Sequence, residues 1–124
     1  MATAKTILVV DDDPGTRRLL QFVLAKTGCE IITSSNGAEA LAIASEKTID
    51  LLVTDLMMDG MDGFSLTSSL QKMPAYAKLP IILLSARFQI EYRNEVWDCD
   101  SLVLMNKPFS PIELIAQIKL LLKL

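Results

Sequence analysis

The chain has no histidine, and this absence removes much of the usual machinery of hydrolysis. Without an imidazole there is no Ser-His-Asp or Cys-His nucleophilic site, and the common zinc ligand sets are ruled out. If phosphohistidine chemistry is involved, the histidine must belong to another molecule. Cysteine is nearly as scarce. Cys29 and Cys99 lie far apart and form no CxxC spacing, so they say little beyond permitting a reducing compartment. Long apolar stretches are missing too, since no run approaches the ~20 residues of a bilayer-spanning helix. Lys5 is followed by a short apolar run and then three aspartates, which is not the pattern of a signal peptide. A cytoplasmic protein with no membrane partner is therefore expected. Positive charge is in deficit, with a net charge of -3, which argues against direct nucleic-acid binding. The basic pair Arg17-Arg18 fits a solvated helix face. No GxGxxG loop follows the first apolar run, which speaks against a dinucleotide-binding or flavodoxin reading.

What the chain does have is a set of short apolar runs, each ending in a reactive polar residue. Ile7 to Val10 ends in Asp11-Asp12, Leu51 to Thr54 in Asp55, Ile81 to Leu84 in Ser85, and Leu102 to Asn106 in Lys107-Pro108. Continuous runs of this length fit parallel strands buried on both faces. Ligands bind such sheets beyond the carboxyl ends of the strands, so the reactive residues should converge. At 124 residues, 51% hydrophobic and 22% charged, the chain suits one compact domain spanning 1–124, to which an output domain could be joined. Five apolar runs alternate with five helical patterns, the signature of a doubly wound α/β sheet.

Helix signals punctuate the alternation. Asp13 can cap a helix opening at Pro14, with Leu20, Val23, Leu24 and Thr27 as the buried stripe, Arg17, Arg18, Gln21 and Lys26 outward, and Gly28 as the stop. Ile31 to Thr33 is a short second strand, and Asn36-Gly37 opens an alanine-rich helix to about Glu46. Gly60 and Gly63 mark tight backbone after the third strand. Phe64, Leu66 and Leu70 give the next helix its apolar side, and Pro74 and Pro80 bracket a surface loop. The stretch from Arg87 to Asp100 is the least orderly and is expected to be helical. Ser110 to Glu113 reads as a capping box opening a last helix to Leu124. That helix is apolar on more than one face, which suits a partner: a second copy of the chain, or an output domain.

The gathered residues have a defined chemistry. A hard cation such as Mg²⁺ takes oxygen ligands and is held by one or two carboxylates plus waters. Asp12 and Asp55 can be those two, with Asp11 reaching the ion directly or through water. A carboxylate can also attack phosphorus to give an aspartyl phosphate. Transfer then depends on positioning and on neutralising the phosphoryl oxygens, for which Lys107 supplies an ammonium and Ser85 a hydroxyl donor. Asp55 is the best nucleophile candidate, because it stands alone on the central strand.

Taken in order, the motifs ILVVDDD (7–13), NGAEAL (36–41), DLLVTDLMMDGMDG (50–63), PIILLSA (80–86) and NKPF (106–109) resemble the response-regulator receiver domain of two-component signalling. The resemblance implies a flavodoxin-like five-stranded parallel sheet of order 2-1-3-4-5 with helices on both faces. It also implies a Mg²⁺-dependent switch phosphorylated by a histidine kinase or phosphotransfer protein, with no turnover of an external substrate. By this resemblance Asp55 is the phosphoacceptor, Asp11 and Asp12 the metal pair, the Met57 backbone carbonyl a further ligand, Ser85 the switch hydroxyl and Lys107 the phosphate-contacting lysine. A cis Lys107-Pro108 bond is also implied. The chain departs from the pattern at Leu104, where an aromatic switch residue is common. It departs again at Asp59, where a proline is common, and at Trp97 to Asp100, where glycine and alanine are usual. Met57 and Arg87 stand where hydrolytic water would approach, so slow self-dephosphorylation is expected.

Two other classes compete. Asp11-x-Asp13 after a strand also resembles haloacid-dehalogenase-type phosphatases, with Asp11 as nucleophile and Asp13 as acid/base. An interaction-only module, never phosphorylated, would instead dock through its apolar last helix.

Overall fold

A computed structural model describes residues 4–58, 60–85 and 102–124. Its strands are β1 (Thr6–Val10), β2 (Glu30–Ser34), β3 (Leu51–Asp55), β4 (Ile81–Ser85) and β5 (Leu102–Asn106). The described helices are α1 (Pro14–Leu24), α2 (Gly37–Glu46), α3 (Gly63–Gln71) and α4 (Pro111–Leu122). All strand pairs are parallel, in the order β2-β1-β3-β4-β5. The expected doubly wound, flavodoxin-like sheet is present.

Side chains alternate across a strand with period two, and the core divides accordingly. Leu8, Val10, Leu52, Ile81 and Leu83 pack with Ala40 and Ala44 of α2 and Leu66 and Leu70 of α3. Their chain neighbours Ile7, Val9, Leu51, Val53, Ile82 and Leu84 pack with Leu20, Val23 and Leu24 of α1 and Leu114 and Ile118 of α4. β1, β3 and β4 are buried throughout, which is why their sequences are continuous apolar runs rather than alternating ones. β5 departs from that expectation. It pairs only with β4, at one edge of the sheet, and its residues are half-buried or exposed.

Each described α-helix starts on a side-chain cap placed soon after a strand or loop ends. Asp13 accepts from the Thr16 N–H, Asn36 from Glu39, Asp62 from Ser65 and Ser110 from Glu113. Such caps satisfy amide donors that a helix start otherwise leaves unpaired. They also fix where the chain turns back at the carboxyl edge of the sheet.

Other expectations are corrected in detail. Arg17 does not point outward; it is half-buried, and its guanidinium donates to the Asp11 carbonyl at 2.7 Å. Thr27 is only half-buried, in a 3₁₀ turn (Ala25–Thr27) that Gly28 ends at φ 80°. The segment between Pro74 and Pro80 is not merely surface loop. It holds a 3₁₀ turn (Pro74–Tyr76) that buries Tyr76. The Tyr76 hydroxyl accepts from the Ile49 N–H at 3.2 Å and lies 2.8 Å from the carbonyls of Ala44 and Lys47. α4 stops at Leu122, with Lys123 in the left-handed conformation beyond it. The expected helix across Arg87 to Asp100 and the departure at Asp59 lie outside the described residues.

Candidate functional site

The three inner strand ends and the end of β5 deliver one cluster. Asp11 follows β1 directly, and its N–H continues toward β2 by donating to the Ser34 carbonyl at 3.2 Å. Asp55 and Ser85 are the last residues of β3 and β4. The Lys107 N–H donates to the Ser85 carbonyl at 2.7 Å, so the β4-β5 ladder itself places the lysine. Asp11, Asp12 and Asp55 can each bring a carboxylate oxygen to within 4.8 Å of the others. The Lys107 Nζ lies 3.2 Å from Asp11 Oδ2 and 3.2 Å from Asp55 Oδ1. The Lys107-Pro108 peptide is cis.

Burial makes this arrangement electrostatically demanding. Asp11 is 1% exposed and Asp55 9%. Three carboxylates face one ammonium, which leaves negative charge in excess. Burial raises the Asp55 pKa above the usual carboxylate range; Lys107 offsets this in part, and the Asp11 charge adds to it. For Lys107, burial acts to lower the pKa, but Asp11 and Asp55 together outweigh it, and the net shift is upward. The lysine is thus held as a cation. A divalent cation would relieve the remaining repulsion, and a set of oxygen donors suits a hard one.

The Ser85 hydroxyl is completely buried and has no hydrogen-bond partner among the described residues. A buried unpaired hydroxyl costs about 1–3 kcal/mol, so it is informative that one stands at the end of β4, one residue past Leu84, the ladder partner of Asp55. An anionic oxygen bonded to the Asp55 side would give it an acceptor.

The surrounding residues define the pocket's edges. The Met57 backbone amide acts to lower the Asp55 pKa, against the effect of burial, while the Met57 side chain is 57% exposed. Leu104, opposite Leu83 in the β4-β5 ladder, packs half-buried against the α2-α3 side of the sheet. Gly63 closes the acceptor loop: its N–H donates to the Leu56 carbonyl at 2.8 Å. A Cβ there would meet the Asp55 carbonyl oxygen at 2.6 Å. Gly60 is needed for a different reason, a left-handed φ of 83°.

Asp13 does not join the cluster. Its carboxylate accepts from the Thr16 N–H at 2.9 Å and hydroxyl at 2.6 Å, bonds that hold its pKa below the usual range. A capping carboxylate whose pKa is lowered is a poor proton donor, which weighs against the acid/base role that the phosphatase reading requires. Arg17 was the site-facing residue that sequence reasoning missed. A signal existed, because residues 17, 20, 24 and 27 share one helical stripe.

With this geometry in hand, comparison with known proteins decides the family: the sequence pattern of the response regulator receiver domain matches residues 7–119. The chain belongs to that receiver family. Among its relatives is an uncharacterized 14.6 kDa protein from the sodA1 3' region of Leptolyngbya boryana, 39% identical and covering 88% of this chain and 83% of that one. The transcriptional regulatory protein SrrA of Staphylococcus aureus is 36% identical over 94% of this chain. The receiver spans only 47% of SrrA, about half its length. Among solved structures, the chemotaxis response regulator CheY4 of Vibrio cholerae matches with a TM-score of 0.86 and 28% identity, covering 96% of this receiver and 99% of that chain. Receiver relatives of this kind are signalling regulators of two-component systems. No described helix of this receiver is long and apolar enough to cross a membrane.

Proposed function

We propose that this receiver is a phosphorylation-dependent switch whose Asp55 accepts a phosphoryl group, with Mg²⁺, from a separate histidine kinase or phosphotransfer protein in the cytoplasm. The observation that carries the reading is Lys107 Nζ at 3.2 Å from both Asp11 and Asp55; the buried, unpaired Ser85 hydroxyl at the end of β4, whose carbonyl accepts from the Lys107 N–H, supports it. Asp11, Asp12 and Asp55, with the Met57 backbone carbonyl, would hold the metal. Bound there, Mg²⁺ would neutralise charge on the phosphoryl oxygens.

The transfer follows from the residues. An Asp55 carboxylate oxygen attacks phosphorus as the bond from phosphorus to the donor's nitrogen breaks, and the electron pair leaves on that nitrogen. Lys107 shifts from sharing two carboxylates to meeting a phosphoryl oxygen, and Ser85 gains its missing acceptor. These new bonds favour the arrangement that forms them, which is how a local charge change biases a two-state element. Slow self-dephosphorylation belongs to the same reading, with the Met57 side chain crowding an in-line water. Residues 1–124 are read as one receiver domain, a module that occurs both within longer regulators such as SrrA and in relatives of nearly the same length.

Intact-mass measurement with a small-molecule phosphodonor tests the proposal. One added phosphoryl group is expected with Mg²⁺, none after chelation and none in Asp55→Asn. Retention of the added mass in Asp55→Asn would remove Asp55 as the acceptor. A docking module that is never phosphorylated is the second reading, favoured by Ile112 and Leu120 on α4, 82% and 73% exposed. Partner or self-association that ignores both metal and phosphodonor would support it.

A further inference from the structure

Besides the Lys107 contact with the Asp11 carboxylate, three described bonds tie the Asp11 backbone and the Asp13 N–H in the turn that carries Asp11 and Asp12. The Asp11 N–H donates to the Ser34 carbonyl at 3.2 Å, the Asp13 N–H donates to Asp11 Oδ1 at 2.9 Å, and Arg17 Nη1 donates to the Asp11 carbonyl at 2.7 Å. Arg17 alone among these donors is a side chain reaching back from outside the turn. Its bond is the shortest of the three and involves a charged donor, the stronger class of hydrogen bond. The carbonyl it grips belongs to the peptide that joins Asp11 to Asp12. A peptide is planar, so fixing its carbonyl also fixes the direction in which the Asp12 α-carbon is delivered.

The geometry points to Arg17 as a positioning residue that sets the affinity of the acidic cluster for a divalent cation by fixing the Asp11-Asp12 peptide. This inference rests on the proposed metal site. Mg²⁺ demands near-ideal octahedral geometry, so a small rotation of this peptide would misplace an Asp12 oxygen. Arg17 also brings positive charge, which on its own would oppose a cation. The two effects have opposite signs, and substitutions separate them. If charge dominates, removing the guanidinium tightens metal binding; if positioning dominates, it weakens binding.

The test is titration with Mn²⁺ alone, followed by the loss of its free paramagnetic signal. The parent, Arg17→Met, Arg17→Lys, Arg18→Met and Asp12→Asn are compared, each held well below its own melting temperature. Methionine is a good helix former and suits a half-buried place beside Leu20, so Arg17→Met should fold. It is expected to bind Mn²⁺ about tenfold more weakly, the usual scale for losing a group that orients a ligand. Arg17→Lys, which keeps a donor and the charge, should recover most of that loss. Arg18→Met removes the same charge one residue along, from an exposed position, and should not weaken binding. An Arg17→Met chain that binds as tightly as the parent, or more tightly, overturns the inference. So does equal weakening by Arg17→Lys and Arg17→Met. A parent that binds no Mn²⁺, or binds it equally well as Asp12→Asn, instead overturns the metal site itself.

Discussion

Two glycines open two helices, and substituting each by alanine separates a backbone clash from a side-chain clash. Gly37 is the first residue of α2 and Gly63 the first of α3. Neither has a positive φ; only Gly28 and Gly60 do among the described glycines. Space therefore decides both. A Cβ on Gly63 would lie 2.6 Å from the Asp55 carbonyl oxygen and 3.0 Å from the Leu56 α-carbon, so the acceptor loop's own backbone must move. A Cβ on Gly37 would lie 2.7 Å from the Met61 sulfur, 2.9 Å from its Cβ and 3.0 Å from its Cγ. The sulfur and Cγ can swing away through a rotamer change, whereas the Cβ moves only with the Met61 backbone.

Overpacking costs about 1–3 kcal/mol. The immovable contact should put Gly63→Ala near the top of that range. Both glycines open a helix, so any gain from replacing glycine is shared; at Gly37 the outer Met61 atoms can move aside but its Cβ cannot without the backbone, so the net cost should fall about 1 kcal/mol below that of Gly63→Ala. A difference of about 1 kcal/mol corresponds to roughly 4 °C in Tm for a domain of this size. Paired thermal and urea unfolding measures it, and metal titration adds a second readout: Gly63→Ala should also weaken Mg²⁺ binding, because the displaced atoms carry Asp55. Equal losses in the two variants, or a Gly63→Ala chain that keeps parental stability, would refute the reasoning.

Three further outcomes are expected. Without metal, Asp55→Asn should stabilise the chain by about 1 kcal/mol, the scale on which relieving a strained functional site commonly adds stability. Because burial raises the Asp55 pKa, the native state binds that proton more tightly than the unfolded one. The advantage of asparagine should thus be absent in acid, emerge as pH rises through the usual carboxylate range to the raised value, and then level off; urea unfolding across that window reads it. Tyr76→Phe removes the acceptor of the Ile49 N–H and the one hydroxyl proton that the Ala44 and Lys47 carbonyls share, so it should cost about 1–3 kcal/mol with metal affinity unchanged, as measured by unfolding and Mn²⁺ titration. In the phosphorylated chain, Met57→Asn should shorten the phosphoryl lifetime severalfold when decay is followed by intact mass; an unchanged lifetime removes Met57 as the barrier to water.

The legible parts of this protein were those where one physical demand dominates a segment. Burial on both faces leaves little but β-branched and aliphatic residues in β1, β3 and β4, so the strand ends, and with them Asp11, Asp55 and Ser85, could be located from the chain alone. Caps were legible for a related reason: Asp13 before Pro14, and Ser110 three residues before Glu113, each serve one local need. Residues serving two demands were misjudged. Arg17 is basic, which suggested solvent, yet it lies on the buried stripe and its reach allows the guanidinium to find a carbonyl. Tyr76 sits between two prolines, where a loop is the natural inference, but its ring fills the α2-α3 side of the core while its hydroxyl serves backbone groups. β5 carries the same aliphatic run as its neighbours although it lies at an edge, because composition does not distinguish a strand covered on both faces from one only partly covered. Convergence was inferred from topology; the sharing of Lys107 between two carboxylates required coordinates.

The central claim is that Asp11, Asp12, Asp55, Ser85 and Lys107 act around one cation and one phosphoryl group. A crystal structure with Mn²⁺ and beryllofluoride, a phosphoryl mimic, tests it most directly through anomalous scattering from the metal. Expected are a single anomalous peak about 2.1 Å from carboxylate oxygens of Asp12 and Asp55, the mimic bonded to Asp55, and both Lys107 Nζ and Ser85 Oγ within hydrogen-bond distance of its fluorines. A metal peak away from these carboxylates, or a mimic on Asp55 that Lys107 does not touch, would contradict it.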